Sequence, residues 1–576
     1  MTASFRLICL VFFLGTIGSA TTLNPVPFVN QPLLPGRATP GSKNLRLTVT
    51  GTGFTSGSGV KWNGESLATM MVSAQKLIAQ VPAADLVSAG TAAVTVVNPT
   101  PGGGISNVVL FEITDATPIA LPFESRIFTP AVIFSTVTGD FNSDGHADVV
   151  ASMGNAIAVF LGNGDGTFGV SSFSTPATFV GALATGDFNG DGKLDLAFPD
   201  PSNNLIYILL GNGDGTFQQG PTLAIPNDPV ALAVGDFNND GKLDLAVVQA
   251  GANEISILLG NGDGTFQIQF TVATGLQPNA AVVADFNGDG RLDLAVVNSG
   301  SNTLSILLGS GDGHFQLQSS PRTGISPNSL VAADFNGDGK TDLAVTNVCG
   351  ETPNCNLRVD KGSISSFLGN GDGTFSLAAE IPAEGSSPYG IVAGDFNGDG
   401  RLDLAVAFNE DVARIFFGGS KGMFHTPIYA SSGVFPISVV AADFNEDGRL
   451  DLAISNSGAI EGSSYLSVDL QSPVSFQPYT LTFPPQPVGT TSPPKAVKFA
   501  NVGPAPLSIT QFVINQTENG DFAQTNDCPP TLPPQGYCTV QITFTPKGKG
   551  PDPSILQVVD SAIGTVQYMV FKGTGK

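Results

Sequence analysis

The sequence predicts an all-β chain: a seven-bladed β-propeller over residues 121–470, flanked by two immunoglobulin-like β-sandwich domains at 25–115 and 474–576. Three observations support this. Of 576 residues, 70 are Gly, 41 are Pro, 41% are hydrophobic and only 12% are charged, so there is apolar material for packed cores between many turns. The string Asp-Phe-Asn-x-Asp-Gly-x-x-Asp occurs seven times, starting at Asp140, Asp187, Asp236, Asp285, Asp334, Asp395 and Asp443, with spacings of 47, 49, 49, 49, 61 and 48. Each unit holds four short β-like runs, the pattern of a propeller blade; the coils of a linear β-solenoid are shorter and lack three hairpin turns each.

Residues 1–20 read as a secretory signal peptide, with Arg6, the apolar run Leu7 to Gly18 and the small cleavage residues Gly18-Ser19-Ala20. That run is too short to span a bilayer, and no later stretch is long and apolar enough, so the expectation is a secreted or cell-surface protein without membrane insertion. A net charge of −24 excludes a basic nucleic-acid binder. Beyond the signal the cysteines fall into two local pairs, Cys349 with Cys355 and Cys528 with Cys538, which in an exported chain read as disulfides. With only His146, His314 and His425 available, a Cys/His zinc cluster is not expected.

Residues 25–115 contain Leu45-Arg46-Leu47-Thr48-Val49, Gly51-Thr52-Gly53-Phe54, Val60-Lys61-Trp62-Asn63-Gly64, the run Ala92 to Val97 and the turn Asn98 to Gly104. This segment resembles an IPT/TIG immunoglobulin-like domain, and Trp62, the single Trp, is expected in its core. In 474–576, Leu481-Thr482-Phe483, Val497-Lys498-Phe499, Asn501-Val502-Gly503 and Phe544-Thr545-Pro546 resemble the HYDIN-type (choice-of-anchor) repeats of exported proteins. Both modules read as spacers or adhesive tiles.

The repeated string is a cation loop in its chemistry. Positions 1, 3, 5 and 9 offer carboxylate, amide, carboxylate and carboxylate oxygens, Gly at position 6 permits the tight turn, and the position-7 carbonyl is expected to join them. Hard oxygen donors suit a hard cation, so the expected cofactor is Ca2+, up to seven ions. The candidate ligands are Asp140, Asn142, Asp144, His146 and Asp148 in loop 1, and Asp187, Asn189, Asp191, Lys193 and Asp195 in loop 2. Loop 3 offers Asp236, Asn238, Asp240, Lys242 and Asp244, and loop 4 offers Asp285, Asn287, Asp289, Arg291 and Asp293. Loop 5 offers Asp334, Asn336, Asp338, Lys340 and Asp342, and loop 6 offers Asp395, Asn397, Asp399, Arg401 and Asp403. Loop 7 offers Asp443, Asn445, Asp447, Arg449 and Asp451.

The alternative is a metal-free cluster of Asx turns, but three carboxylates within nine residues repel unless a cation stands among them. Positions 1, 5 and 9 of the loops account for 21 of the 48 acidic residues, so much of the acidity is a count of candidate ligands. No Glu stands at position 12, where loop 2 has Phe198, and Leu194 and Leu196 alternate around Asp195, so the loop leads into a strand rather than the helix of an EF-hand. The Phe at position 2 of every loop is expected to pack between blades.

A second string, Leu-Gly-Asn-Gly-Asp-Gly-Thr-Phe, starts at Leu161, Leu210, Leu259 and Leu368, with a variant at Leu308 and a degenerate copy over Phe417 to Phe424. It reads as a hairpin turn rather than a metal site. After loop 7 no copy follows and the unit lacks a fourth strand. Pro122 to Phe128 stands where other units have theirs, and is expected to complete the last blade and close the ring. The two strings together, as in Gly186-Asp187-Phe188-Asn189-Gly190-Asp191-Gly192-Lys193-Leu194-Asp195, resemble the FG-GAP or VCBS repeats of bacterial surface proteins and the integrin α propeller, over about residues 121–470. The resemblance implies calcium in the loop joining the first two strands of each blade. Members include adhesins, lectins and polysaccharide lyases, so it does not fix function.

The 61-residue spacing reflects an insertion in the fifth unit, Asn347 to Ser363, held by Cys349 and Cys355. Chain geometry places it opposite the calcium loops, near the link Glu384 to Tyr389, which makes Glu351, Arg358, Lys361 and Tyr389 the candidate ligand residues. A merely decorated surface loop is the other reading. Catalytic signatures are missing: there is no Gly-x-Ser-x-Gly, and Gly164, Gly166 and Gly169 sit in a hairpin turn rather than before a helix. The expected function is adhesion or recognition of extracellular glycans or proteins; the alternative is a polysaccharide-processing lyase or hydrolase on the same scaffold. One Trp and seven Tyr weigh against a lectin site, since sugars commonly stack on aromatic platforms.

Overall fold

The fold is given by a computed structural model that describes residues 24–576 apart from 30–32, 34–36, 39–40, 88–89, 101, 107–108, 114–122, 350–361, 384–386, 398, 410–412, 426, 431–434, 448, 458–463, 472–473, 478–479, 502–505, 517–520, 534–535 and 562–565. The expected signal lies outside the described residues, as do Glu351, Cys355, Arg358 and Lys361.

Seven four-stranded antiparallel sheets occupy Phe123 to Leu470, each built around one loop and numbered here by it. Sheet 2 is typical, with strands Ala184–Gly186, Asp195–Asp200, Leu205–Gly211 and Phe217–Ala224. Residue pattern explains the order of these strands. The second strand is buried along its whole length, its apolar run Leu196 to Pro199 standing between Asp195 and Asp200, whereas the fourth alternates and is exposed on one face, as an outer edge requires. Sheet 6 has only the short Ile428–Tyr429 as its fourth strand, following the degenerate turn in which Lys421 takes φ 64°.

Sheet 7 takes its first three strands from Pro436–Ala442, Asp451–Asn456 and Tyr465–Leu470, and its fourth from Phe123–Phe128 at the other end of the ring. That fourth strand runs antiparallel with Phe123 opposite Leu470 and Phe128 opposite Tyr465. The innermost strands of sheets 7 and 1 lie side by side, where the Thr136 N–H donates to Ser438 Oγ at 3.2 Å. First and last sheets also share one apolar core, including Val149, Phe160, Phe444 and Leu466. The ring is closed as expected.

The position-2 Phe residues lie between sheets. Phe141 meets Phe217 of the next sheet edge-on at 6.0 Å, and the same pairing joins Phe188 to Phe266, Phe237 to Phe315, Phe286 to Phe375 and Phe335 to Phe424. Phe444 of sheet 7 likewise meets Phe168 of sheet 1 at 5.5 Å, and only Phe396 of sheet 6, although buried, has no such ring contact among the described residues. Each pair carries a directional aromatic contact beyond the area it buries.

The N-terminal domain is a sandwich of two sheets. One is ordered Phe28–Val29, Leu45–Thr52, Lys76–Val81, Ala68–Ser73, and the other is centred on Gly90–Asn98 between Gly59–Trp62 and Val109–Ile113. Trp62 is in its core, 5.1 Å from Phe111. The C-terminal domain likewise packs a sheet of Val474–Gln477, Lys495–Asn501, Tyr537–Phe544 and Phe522–Asn526 against one containing Val566–Gly575 and Gly550–Asp560, around Phe499, Phe544 and Phe571. The expected bridge between Cys528 and Cys538 is present. Cys349 is disulfide-bonded, and its expected partner lies outside the described residues. No helix among the described residues is long and apolar enough to cross a membrane.

Candidate metal centres

Each loop joins the first and second strands of its sheet, and main-chain N–H groups shape it around the acids. In loop 2, Asp187 Oδ1 accepts from the Gly190 and Asp191 amides and Oδ2 from Gly192, while Asn189 Oδ1 accepts from Asp191 and Asp191 Oδ1 from Lys193. Position 6 needs glycine because its φ lies near +85°, as at Gly192 (84°), Gly241 (85°) and Gly339 (84°).

The ninth-position aspartates are different in kind. Asp148, Asp195, Asp244, Asp293, Asp342, Asp403 and Asp451 are all 0% exposed. In loop 2, Asp195 Oδ2 accepts from the Phe188 amide at 2.9 Å and Oδ1 from the Gly211 amide at 2.7 Å. Gly211 is the first glycine of the second string, so that string also holds the buried acid. The Asp165 turn confirms its hairpin character, since Asp165 Oδ1 accepts from the Thr167 amide and the Asn163 amide donates to the Thr167 carbonyl.

Among the described residues no cationic side chain forms an ion pair with any of the seven buried acids. Burial first, and then the neighbouring loop carboxylates, therefore hold them above the usual range. Asp148 and Asp195 are pushed up to about 6, Asp293 and Asp342 to about 7, and Asp244 and Asp403 to about 8, while Asp451 is raised well above normal. In loop 7, Asp447 Oδ2 is buried with no hydrogen-bond partner. Buried carboxylates without a counter-charge, beside further all-oxygen donors, fit a hard divalent cation.

Three of the fifth-position carboxylates turn to the basic residue two positions on. Asp191 Oδ2 faces Lys193 Nζ at 3.9 Å, Asp240 Oδ2 faces Lys242 Nζ at 4.0 Å, and Asp289 pairs with Arg291. Among the described residues, no loop has all three of its carboxylates within 4.8 Å of one another. The one trio that tight is Asp527 with Cys528 and Cys538, whose sulfurs are joined in the disulfide. In loop 1 the His146 ring turns to the loop of the neighbouring sheet, with Nδ1 2.6 Å from Glu446 Oε1.

Of the expected ligand residues only Tyr389 is described. Its carbonyl accepts from Thr346 Oγ1 at 2.9 Å, which ties the link of sheet 6 to the strand that leads into the insertion. A feature outside the repeat strings lies on that same face, at the seam between sheets 7 and 1. Phe128 is 67% exposed, Phe134 40% and Phe435 37%. Phe134 stands 5.0 Å from Phe179, and Phe128 5.5 Å from Tyr465, over which Arg126 is placed at 5.1 Å. Phe435 takes φ 58°, a conformation that a bulky residue adopts only at a cost.

The N-terminal domain is not a free spacer. It sits on the metal-loop side of the ring, where the Val26 N–H donates to Asp236 Oδ2 at 3.0 Å. A cleft of about 280 Å³ between the two is lined by Ser73, Gln75 and Lys76 from the domain and by Asp285 and Lys340 from the loops.

The family model for FG-GAP-like repeats matches residues 140–198, 187–247, 236–296, 285–345, 357–406 and 396–454, and that for the IPT/TIG domain matches 34–113. No curated protein matches the chain. Similar solved structures include an auxiliary nutrient binding protein from Bacteroides ovatus, at 12% identity and TM-score 0.34 over 77% of this chain and 97% of that one. Another is a protein from Lactobacillus plantarum, at 12% identity and TM-score 0.41 over 61% and 98%. A third is the ASH/PapD-like domain of human CEP192, at 20% identity and TM-score 0.14 over 18% and 83%.

Proposed function

Because the chain belongs to the FG-GAP-like repeat family, whose model matches more than half of it, we propose that it is a secreted, calcium-stabilised seven-bladed propeller that recognises an extracellular glycan or protein. The observation behind recognition is that three phenylalanines at one end of sheets 7 and 1, Phe128, Phe134 and Phe435, are exposed. Large apolar rings left exposed, one of them on a strained backbone, cost solubility and stability unless they serve a contact. Flat rings can stack on the faces of sugar rings, and Arg126 beside them can meet a carboxylate or hydroxyl. Calcium in the loops on the opposite side stiffens the sheets that present the patch. The signal at residues 1–20, the disulfides and a C-terminal module of HYDIN type fit an extracytoplasmic setting.

A glycan array probed with and without EDTA, beside a reducing-end release assay on the polysaccharides bound, tests this reading. Binding without release is expected, with at least about a tenfold loss of affinity in Phe128→Ala and Phe134→Ala, equivalent to roughly 1.4 kcal/mol. Wild-type affinity in both variants would remove the patch from the site, and release of reducing ends would make the chain an enzyme.

A further inference from the structure

The seven loops share one chemistry but not one environment. At position 6 of loops 1, 2, 5 and 6, a Cβ added to Gly145, Gly192, Gly339 or Gly400 would meet nothing within 4 Å. At Gly241 of loop 3 it would lie 2.6 Å from the Asn24 carbonyl oxygen and 3.0 Å from the Gly103 nitrogen, and at Gly290 of loop 4 it would collide with Gln75 Nε2. The N-terminal domain covers loops 3 and 4 at backbone contact distance. Asp236 is 5% exposed and Asp285 8%, with Asp334 of loop 5, beside them, at 6%, whereas Asp140 and Asp187 are half-buried.

The contact reaches a candidate ligand itself. Asp236 Oδ2 accepts from Val26 of the domain and from Gly241 of its own loop, each at 3.0 Å. The docking segment is well fixed on the domain side. Asn98 Nδ2 donates to the Pro25 carbonyl at 2.7 Å, the Gly103 amide donates to Asn24 O, and Phe28 packs against the apolar core shared by sheets 3 and 4.

We propose that the cation held by loop 3 is the latch of the N-terminal domain: metal fixes the Asp236 carboxylate where it receives the Val26 N–H, and the docked domain in turn caps that metal. This rests on the calcium reading of the loops. A filled loop 3 holds its acids in one arrangement, so the charge-assisted bond to Val26 forms without further ordering. An empty one leaves the buried acids repelling each other beneath the domain. Binding linkage makes the effect reciprocal, so docking raises the affinity of loop 3 for metal by the same factor by which metal favours docking.

The test uses the full chain in calcium and compares Asp236→Asn with Asp187→Asn, the same loss in an uncovered loop. Metal content by atomic absorption, far-ultraviolet circular dichroism and the small-angle scattering radius of gyration are read for each. Both variants are expected to lose one ion and keep their strands, and only Asp236→Asn to expand as the domain lifts away. Expansion in both or in neither overturns the latch, and a wild-type chain that holds no calcium overturns the loop reading instead. Val26→Pro removes the N–H while sparing every ligand. It is expected to weaken one calcium site by about fivefold or more in a titration. Unchanged affinity at every site would leave the bond to Val26 without a metal linkage and overturn the reciprocal half of the proposal.

Discussion

Gln471 donates its side-chain amide to the main-chain carbonyl of Phe396 at 2.8 Å, and thereby replaces a turn that sheet 7 lacks. In other sheets a glycine of the second string makes this contact, as when the Gly215 amide donates to the Phe141 carbonyl and Gly166 to Phe444. Gln471 also gives its own amide to Asp451 Oδ1 at 2.7 Å and its side chain to the Leu450 carbonyl, so one residue does the work of the missing eight. Gln471→Ala leaves two buried carbonyls unsatisfied and should cost about 2–4 kcal/mol in urea unfolding. Gln471→Glu, which cannot donate, should be no better. A midpoint shift under about 0.5 kcal/mol in both would show that water replaces the amide.

The strand Phe123–Phe128 hydrogen-bonds to Tyr465–Leu470 along its full length, and sheets 7 and 1 share a core at that seam. Removing residues 121–129 would open a sheet edge and uncover that core. Loss should reach the whole ring, because every sheet buries its faces on its neighbours. The expected result is a melting temperature lower by more than about 5 °C, for a loss of several kcal/mol spread over a large ring. An unchanged melting temperature would mean that closure does not hold the ring together.

What could be read in advance was whatever is written as a local string. The repeat period and the interblade Phe recur in fixed spacing, the closing strand stands where the last unit lacks one, and the structure has them. Docking of the N-terminal domain left no trace, since Val26 and Asn24 act through main-chain atoms that any residue would offer. Phe128, Phe134 and Phe435 were hidden by abundance: with 39 Phe in the chain, composition could not separate the exposed rings from those that the repeats consume. Gln471 stood beyond the last repeat, with no spacing to mark it.

Within one loop, position 5 and position 9 should separate metal binding from folding. Asp240 Oδ1 accepts only the Lys242 amide, and an Asn oxygen can do the same. Asp244 receives the Phe237 and Gly260 amides on its two oxygens, each at 2.8 Å, and an Asn there must turn an NH2 toward one of these donors. Asp240→Asn should therefore unfold like the parent chain in EDTA and differ only in calcium. Asp244→Asn should be less stable in both, by about 1–3 kcal/mol in the chelated state. Equal behaviour of the two variants in EDTA would remove the structural role of position 9.

Acidity should act in opposite directions with and without metal. In the chelated chain the buried acids have folded pKa values raised to about 6 for Asp195, about 7 for Asp293 and about 8 for Asp244, against about 3.9 in an unfolded chain. Between pH 4 and those values the folded state binds more protons than the unfolded one, so the stability these groups contribute is full below about pH 4 and falls as pH rises toward 8. Calcium needs the same groups ionised, so its contribution grows over that range and disappears as they protonate. Melting curves at pH 5, 6, 7 and 8 should thus decline with pH in EDTA and rise with pH in millimolar calcium. Parallel slopes in the two series would mean that the buried aspartates and the metal do not share a site.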